Sequence, residues 1–268
     1  MLGVLTLVIV GIVLILQDRL PFATMSRPVI TDLLPVGGAP PNQVKGGSSP
    51  IESDDPNRAS KAKKRVTPLL KKDLEAKGLT FGSPIFLRIF KESHELELWV
   101  QGSNGKFQLF RNYRIAAMSG KLGPKEKQGD FQAPEGFYFV NSGRFNPYSS
   151  YHLSFNIGYP NTYDRAHKRT GSLIMIHGKS VSIGCFAMTD SSIEEIYTLG
   201  DAALNHGQPF FRVHAFPFRM TKERLAAEAD SEHIDFWNNL YEGFLAFEHS
   251  LVPPNVTVRS KRYVFEEG

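Results

Sequence analysis

The chain has 268 residues, of which 41% are apolar and 22% are charged. This length accommodates one or two domains, and the composition excludes collagen, coiled-coil and wholly disordered proteins. The 31 basic and 27 acidic residues give a net charge of +4. A charge this small does not indicate a nucleic acid or another polyanion as the partner. We therefore expect a globular protein with an ordinary core.

The first 16 residues are uncharged and almost entirely apolar. At about 1.5 Å per residue, a helix of this length spans roughly 24 Å, which is short of the about 30 Å of a bilayer core and typical of an export signal. Residues 1–22 are therefore predicted to be a signal peptide or an N-terminal anchor in contact with the membrane, and the rest lies outside the cytoplasm. A buried core helix is the alternative.

Residues 23–66 are rich in Pro, Gly and Ser and contain few apolar side chains. Such a segment buries too little surface to offset chain entropy, so we predict a flexible linker. Its end is part of a basic stretch, residues 58–77, which is either solvated or in contact with anionic lipid or wall polymer. Thr67 as N-cap and Pro68 at the first helical position predict a short helix that stops before Gly78.

The chain from residue 84 onwards is predicted to be mainly β. Alternating or continuous apolar runs predict strands at 85–90, 95–100, 107–117, 135–141, 153–157, 173–176 and 210–216. A capping box formed by Ser191 and Glu194 predicts a helix to about residue 205, and Ser231 precedes an amphipathic helix. The prediction is a mainly β, α+β domain over residues 67–250 with a few peripheral helices, followed by a tail over 251–268.

The single cysteine, Cys185, excludes an intramolecular disulfide and a multi-cysteine metal site. A thiol is only a few per cent ionised at neutral pH, so a nucleophilic cysteine needs a base. His177 is close enough in sequence to serve, and Gly184 lets the backbone approach closely, with nearby amides available as an oxyanion hole. The alternative is a buried structural cysteine beside a core histidine.

Other polar groups are weaker candidates. Arg165 and Arg169 are suited to a substrate carboxylate, and Tyr138 to the floor of a peptide groove. A solvated loop and core packing are the corresponding alternatives. Zinc-ligand spacing is lacking among four further histidines, so no metal is predicted. These histidines are His152, His167, His206 and His214.

The segments IHG at 176–178 and SIGC at 182–185 resemble the signature of the YkuD-type L,D-transpeptidases, a His followed after a spacer by Ser/Thr-His-Gly-Cys. The glycine-rich segment 119–138 and the late FFRVHAFPFRMT stretch at 210–221 are similar to segments of the same family, closest to its YafK branch. The resemblance covers about residues 69–247 and implies a YkuD-like β-sandwich or mixed-sheet catalytic domain.

The resemblance implies a role for each matching residue. Cys185 corresponds to the nucleophile and His177 to the general acid/base, while Ser182, Gly184 and Gly178 support the loop and the oxyanion site. The sequence departs from the family pattern at residue 183, where Ile stands in place of the second His. No cofactor is implied.

The implied reaction is acyl transfer on peptidoglycan stem peptides, on the periplasmic side of the cell envelope. Cys185 would attack the diaminopimelate carbonyl at stem position 3, and the thioester would be resolved by an amine, which gives a 3–3 cross-link or an attached protein, or by water. The YafK branch implies a hydrolytic variant that releases a wall-attached lipoprotein. Two further hypotheses are an inactive wall-binding module and an unrelated thiol peptidase.

Overall fold

The computed structural model describes residues 55–266 and 268. The predicted signal or anchor at 1–22 and most of the predicted linker lie outside the described residues. Among the helices of the described part, none is long and apolar enough to cross a membrane.

The described chain contains five α-helices and eleven strands, with one short 3-10 turn at Ser142–Arg144. In chain order these are α1 (Arg58–Glu75), β1 (Ile85–Phe90), β2 (Glu95–Gln101), β3 (Phe107–Arg114), β4 (Gly136–Val140), β5 (Phe145–Asn146), β6 (Ser154–Asn156), α2 (Thr162–Ala166), β7 (Met175–His177), β8 (Phe186–Ala187), α3 (Asp190–Asn205), β9 (Phe211–Phe216), α4 (Lys222–Ala226), α5 (Ile234–Ser250), β10 (Asn255–Arg259) and β11 (Arg262–Glu266). The α+β prediction is confirmed.

The larger sheet has five strands in the order β3-β2-β1-β9-β4. Its first three strands form an antiparallel meander, in which a turn at Asn104-Gly105 joins β2 to β3. Strand β9 returns from late in the chain to pair in parallel with β1 and antiparallel with β4. This long-range return leaves β4 at one edge of the sheet.

A second sheet has the order β5-β6-β7-β8 and packs with α3 against one face of the first. Phe155 and Ile176 from the small sheet, Val213 from the large one and Ile196 from α3 are all fully buried in this shared core. Because successive strand residues point to opposite faces, the same strands that fill this core direct their alternate side chains away from it.

The other face of the large sheet is covered by α5 and by a hairpin of β10 and β11. The predicted tail over 251–268 is therefore a hairpin. Its Tyr263 is buried, and the Asn239 amide of α5 donates to the Tyr263 carbonyl at 3.0 Å and accepts from the Tyr263 N–H at 2.8 Å. Contacts with the preceding helix α5 give this segment its defined structure.

Helix α1 begins at Arg58, well before the predicted start at Thr67, so the basic end of the predicted linker is helical. Ala62 and Leu70 lie on the face that is buried against α3. Lys63 pairs with Asp201 of α3 at 2.9 Å, and Arg65 pairs with Glu194. These tertiary contacts extend the helix through residues that are poor in apolar side chains.

Smaller differences concern helix ends. Thr189, in place of the predicted Ser191, is the N-cap of α3, and its side chain accepts from the Ser192 N–H. Glu194 does not close a capping box because its carboxylate contacts Arg65 and His152. Helices α2 and α4 were not predicted, since each is only five residues long.

Candidate active site

The pairing of β7 with β8 places the single thiol on the same side of the small sheet as His177. The two strands are parallel, with Ile176 opposite Phe186, and both of these side chains are buried in the core. His177 and Cys185 each adjoin one of them in sequence, so both point to the opposite face. Both line one cleft there, which we call the thiol cleft.

The thiol cleft has a volume of about 830 Å³, which lies within the range of small-molecule and peptide sites. Large apolar side chains surround it while remaining well exposed to solvent. These are Phe131, Tyr151, Leu173, Val181 and Ile183. Ile183, which stands where the family pattern has a second His, is 75% exposed. The cleft thus presents a thiol and an imidazole within an apolar rim.

The carbonyl of Gly178 orients His177. It lies 2.6 Å from His177 Nδ1, and because a carbonyl only accepts, Nδ1 carries the proton and Nε2 keeps its lone pair. Burial lowers the pKa of His177, against a smaller opposing effect of the Gly178 bond. His177 is therefore a neutral base at neutral pH. A side chain at Gly178 would collide with Asp190 Oδ1 at 2.6 Å and the Tyr151 carbonyl at 2.8 Å.

The Cys185 thiol is half-buried and held by backbone groups. The Met175 N–H donates to Sγ at 3.4 Å, and Sγ lies 3.7 Å from the Leu173 carbonyl oxygen. Burial raises the pKa of Cys185, while the Met175 N–H and the charge of Lys125 act in the opposite direction. The resting pair is thus a thiol and a neutral imidazole, so attack by sulfur requires proton transfer to a base.

The loop before Cys185 is shaped by Ser182 and Gly184. The Ser182 hydroxyl donates to the Cys185 carbonyl at 2.7 Å and accepts from the Gly184 N–H at 3.2 Å. Gly184 has φ +123°, a conformation that residues with a side chain rarely adopt. Because the Gly184 amide is bonded to Ser182, it is not available as an oxyanion donor. The Cys185 N–H is the next amide along the loop.

Three residues expected to bind substrate do not lie in the thiol cleft. Tyr138 is buried and its hydroxyl donates to Asp164 Oδ2 at 3.1 Å, while Arg169 pairs with Asp164 Oδ1 at 2.9 Å. A carboxylate as deeply buried as Asp164 needs such partners, so both residues belong to a structural network. Arg165 is exposed and lines a different cleft.

Two residues of the thiol cleft were missed from the sequence. Lys125 lines the cleft and pairs with Asp130. Ser154 lies directly across the β6–β7 pair from His177, and its buried hydroxyl has no hydrogen-bond partner within the described residues. Lys125 lies in the glycine-rich segment that is similar to the family, and this similarity could have pointed to it as a site residue. The position of Ser154 depends on strand register, for which the sequence offers no signal.

The described residues contain no group of three His, Cys, Asp or Glu side chains that could hold a metal. Of the histidines considered as zinc ligands, His152 contacts Glu194 at 2.8 Å and His206 contacts the carbonyl of Ala202.

Comparison with known proteins identifies the family of this chain. The family model described as the L,D-transpeptidase catalytic domain, YkuD, matches residues 86–207. The chain is 46% identical over 199 residues to the protein named "Putative L,D-transpeptidase YafK" of Escherichia coli K12, covering 74% of this chain and 79% of that protein. The YafK protein of E. coli O157:H7 matches to the same extent.

Two solved structures are more distantly similar. The helical cell shape determining protein Pgp2 of Campylobacter jejuni shares 21% identity at a TM-score of 0.41, covering 66% of this chain and 64% of that chain. Bd1075 of Bdellovibrio bacteriovorus shares 20% identity at a TM-score of 0.35, covering 60% and 57%. On the sequence comparisons, this chain belongs to the YkuD family of L,D-transpeptidase catalytic domains.

Proposed function

We propose that this protein is a cysteine acyl-transfer enzyme that acts on peptidoglycan stem peptides at the periplasmic side of the cell envelope. One observation carries the proposal: Cys185 and His177 line the same cleft, and the Gly178 carbonyl holds His177 in the tautomer whose Nε2 can accept the thiol proton. Family membership supplies the substrate class.

In the first half-reaction, His177 Nε2 accepts the proton of the Cys185 thiol as sulfur attacks the diaminopimelate carbonyl at stem position 3. The amide bond to the following residue breaks, and the imidazolium returns the proton to the departing amine. The products are a Cys185 thioester and a free amine. The Cys185 N–H is the backbone donor we assign to the developing oxyanion, in place of the Gly184 amide.

In the second half-reaction an amine or water attacks the thioester. An amine gives a 3–3 cross-link or an attached protein, and water gives a free stem tripeptide. Lys125 lines the cleft, and its positive charge acts on the thiol. Asp130 pairs with Lys125, so this charge does not select between the two acceptors. Water as acceptor is the second candidate: the thioester forms on a stem that carries a lipoprotein, the lipoprotein leaves as the amine, and hydrolysis frees Cys185.

A third candidate, an inactive wall-binding module, is supported by the raised pKa of Cys185 and by Ile183 in place of the second His. A mass-spectrometric digest of diaminopimelate-type peptidoglycan, with attached lipoprotein, separates the three. Wild type is compared with Cys185→Ala, and Gly207→Ala serves as a control at a turn far along the chain from the thiol loop. Circular dichroism checks that each variant is folded.

Cys185-dependent 3–3 dimers identify a transpeptidase. Cys185-dependent tripeptides or freed lipoprotein without new dimers identify the hydrolase. Identical digests from wild type and Cys185→Ala would support the inactive wall-binding module. Cleavage of casein, run in parallel, would identify a thiol peptidase and contradict the proposal.

A further inference from the structure

A second cleft lies at the β4 edge of the large sheet, between that sheet, the segment leading into α2, and β10 of the hairpin. It has a volume of about 470 Å³ and shares no lining residue with the thiol cleft. Arg144, Arg165 and Arg212 line it, and we call it the arginine cleft. Its lining residues come from four separate parts of the chain, so the cleft forms only when the domain is folded.

The three guanidinium groups hydrogen-bond to neutral acceptors. Arg144 donates to the carbonyls of Phe139 and Ile157, Arg165 to the Pro160 carbonyl and the Thr162 hydroxyl, and Arg212 to the Asn255 side-chain oxygen at 2.5 Å. Most arginines elsewhere in the described residues have carboxylate partners: Arg219, for example, pairs with Glu95 and Glu97 at 3.0 and 2.9 Å. The arginine cleft therefore concentrates positive charge that its neutral acceptors do not cancel.

Aromatic rings and a glycine hold two of these arginines in place. The Arg144 guanidinium carbon lies 4.2 Å from the Phe139 ring centroid, and that of Arg212 lies 5.3 Å from the Phe210 centroid. Gly158 has φ +88°, and a side chain there would occupy the position of the Arg144 guanidinium. Stacked, pre-oriented guanidinium groups lose little conformational entropy when they bind an anion.

His214 is a second, independent indication of a ligand. It lines the same cleft and is 1% exposed, yet within the described residues neither of its ring nitrogens has a hydrogen-bond partner. The ring is held edge-on between Phe86 and Phe137, with centroids 4.6 Å from each. Burial, with Arg212 and Arg88, holds the pKa of His214 well below its usual range, so the neutral ring has one N–H to donate. A buried donor left unpaired is costly, and a bound acceptor removes that cost.

We propose that the arginine cleft binds a phosphate group, held by Arg144, Arg165 and Arg212 with His214 at its inner wall. A carboxylate has two oxygens and one charge, which match a single guanidinium. Three guanidinium groups and an imidazole match a group with more oxygens and a higher charge. A soluble phosphate compound and a lipid headgroup present the same oxygens, so the test distinguishes these two sources.

The test measures binding to the full chain of two probes, inorganic pyrophosphate by calorimetry and vesicles of phosphatidylglycerol in phosphatidylcholine by sedimentation. The variants are Arg165→Gln, Arg212→Gln and their combination. Arg114→Gln, an exposed residue at the end of β3, is the control that removes the same charge elsewhere. We expect each cleft variant to weaken pyrophosphate or vesicle binding by about tenfold and the control to leave it unchanged.

The pattern of binding identifies the source. Variant-sensitive binding of pyrophosphate alone indicates a soluble phosphate compound, and variant-sensitive binding of vesicles indicates a lipid headgroup. The apolar N-terminal residues can also bind vesicles, and the cleft variants do not change that binding. Only the vesicle binding that is lost in the cleft variants is therefore attributed to the arginine cleft. Absence of binding to both probes, or equal binding by wild type and the double variant, overturns the proposal. A shift of the His214 ring nitrogens in ¹⁵N NMR upon saturation provides a readout that a surface charge effect would not produce.

Discussion

Substitution of Glu135 by Gln is expected to destabilise the domain strongly, because Glu135 neutralises a buried lysine. Glu135 and Lys91 are 0% and 2% exposed, and Lys91 Nζ lies 2.8 Å from Glu135 Oε1. Glu135 also accepts from the Gly123 N–H at 2.7 Å and from Trp237 Nε1–H at 2.8 Å. Three donors thus converge on one carboxylate, and a Gln amide has a single acceptor oxygen.

The expected loss follows from breaking a buried ion pair, which costs roughly 3–5 kcal/mol. A domain of this size loses about 2–4 °C of Tm per kcal/mol, so we expect Glu135→Gln to lower Tm by roughly 6–20 °C. Lys91 also donates to the Gly123 and Ala133 carbonyls at 2.8 and 2.9 Å. The segment between them carries Lys125 and Phe131 of the thiol cleft, so turnover is expected to fall as well.

The pH dependence separates this explanation from a general packing defect. Burial lowers the pKa of Lys91 in the folded state, and the Glu135 charge opposes that shift. Without Glu135, the unfolded chain binds the Lys91 proton more tightly than the folded one, so stability of the variant rises with pH through the depressed pKa towards that of free lysine.

Urea denaturation of wild type, Glu135→Gln and Lys91→Met/Glu135→Gln at several pH values measures this. We expect the double variant to be more stable than Glu135→Gln alone, since it leaves no unpaired buried charge at this position. A loss below about 1 kcal/mol, or a loss that does not change with pH, would refute the reasoning.

Three further predictions concern the thiol cleft. Because burial raises the pKa of Cys185, iodoacetamide should alkylate it more slowly than free cysteine at pH 7, with a midpoint at higher pH; a lower midpoint would contradict this. Because burial lowers the pKa of His177, kcat/KM should reach its acid limb below the range of free histidine, and His177→Gln should reduce it by about 10²–10⁴-fold; full activity of that variant would exclude His177 as the base. Gly184 and Gly207 have φ of +123° and +105°, so replacing either by Ala should lower the free energy of unfolding, measured with urea, by about 1–2 kcal/mol. Only Gly184→Ala should also reduce turnover. Equal turnover of the two variants would show that the shape of the Gly184 loop does not matter for catalysis.

The elements that the sequence predicts well depend on local patterns. Strand β1 is an apolar run interrupted only by Arg88, β2 alternates, and α5 has an apolar stripe, so each matches its prediction within a few residues. The prediction of Cys185 and His177 as a pair also rests on a local pattern, because the strand, glycine loop and helix around them are contiguous in the chain. Parallel pairing of β7 with β8 then brings the two side chains to one face.

The elements that were missed depend on partners distant in sequence. Helix α1 extends to Arg58 through contacts with α3, and the hairpin is tied to the segment before α2 by the Asn161 amide, which donates to the Tyr263 hydroxyl at 2.8 Å. Arg169 was predicted to bind a substrate carboxylate, and it pairs instead with Asp164, only five residues before it; that Asp164 is buried, and so needs this partner, depends on the packing around it. Ser154 reaches His177 only through strand register. Such pairings are set by tertiary packing, and no local pattern reveals them.

The central claim is that the Cys185 sulfur forms a thioester with the stem peptide. The most direct test is the intact mass of the protein, quenched in acid during turnover of a diaminopimelate-containing stem tetrapeptide. We predict a mass increase equal to the acyl tripeptide, located on the peptide that contains Cys185, removed by hydroxylamine and absent from Cys185→Ala. Product formation by Cys185→Ala, or an adduct on another residue, would contradict the account.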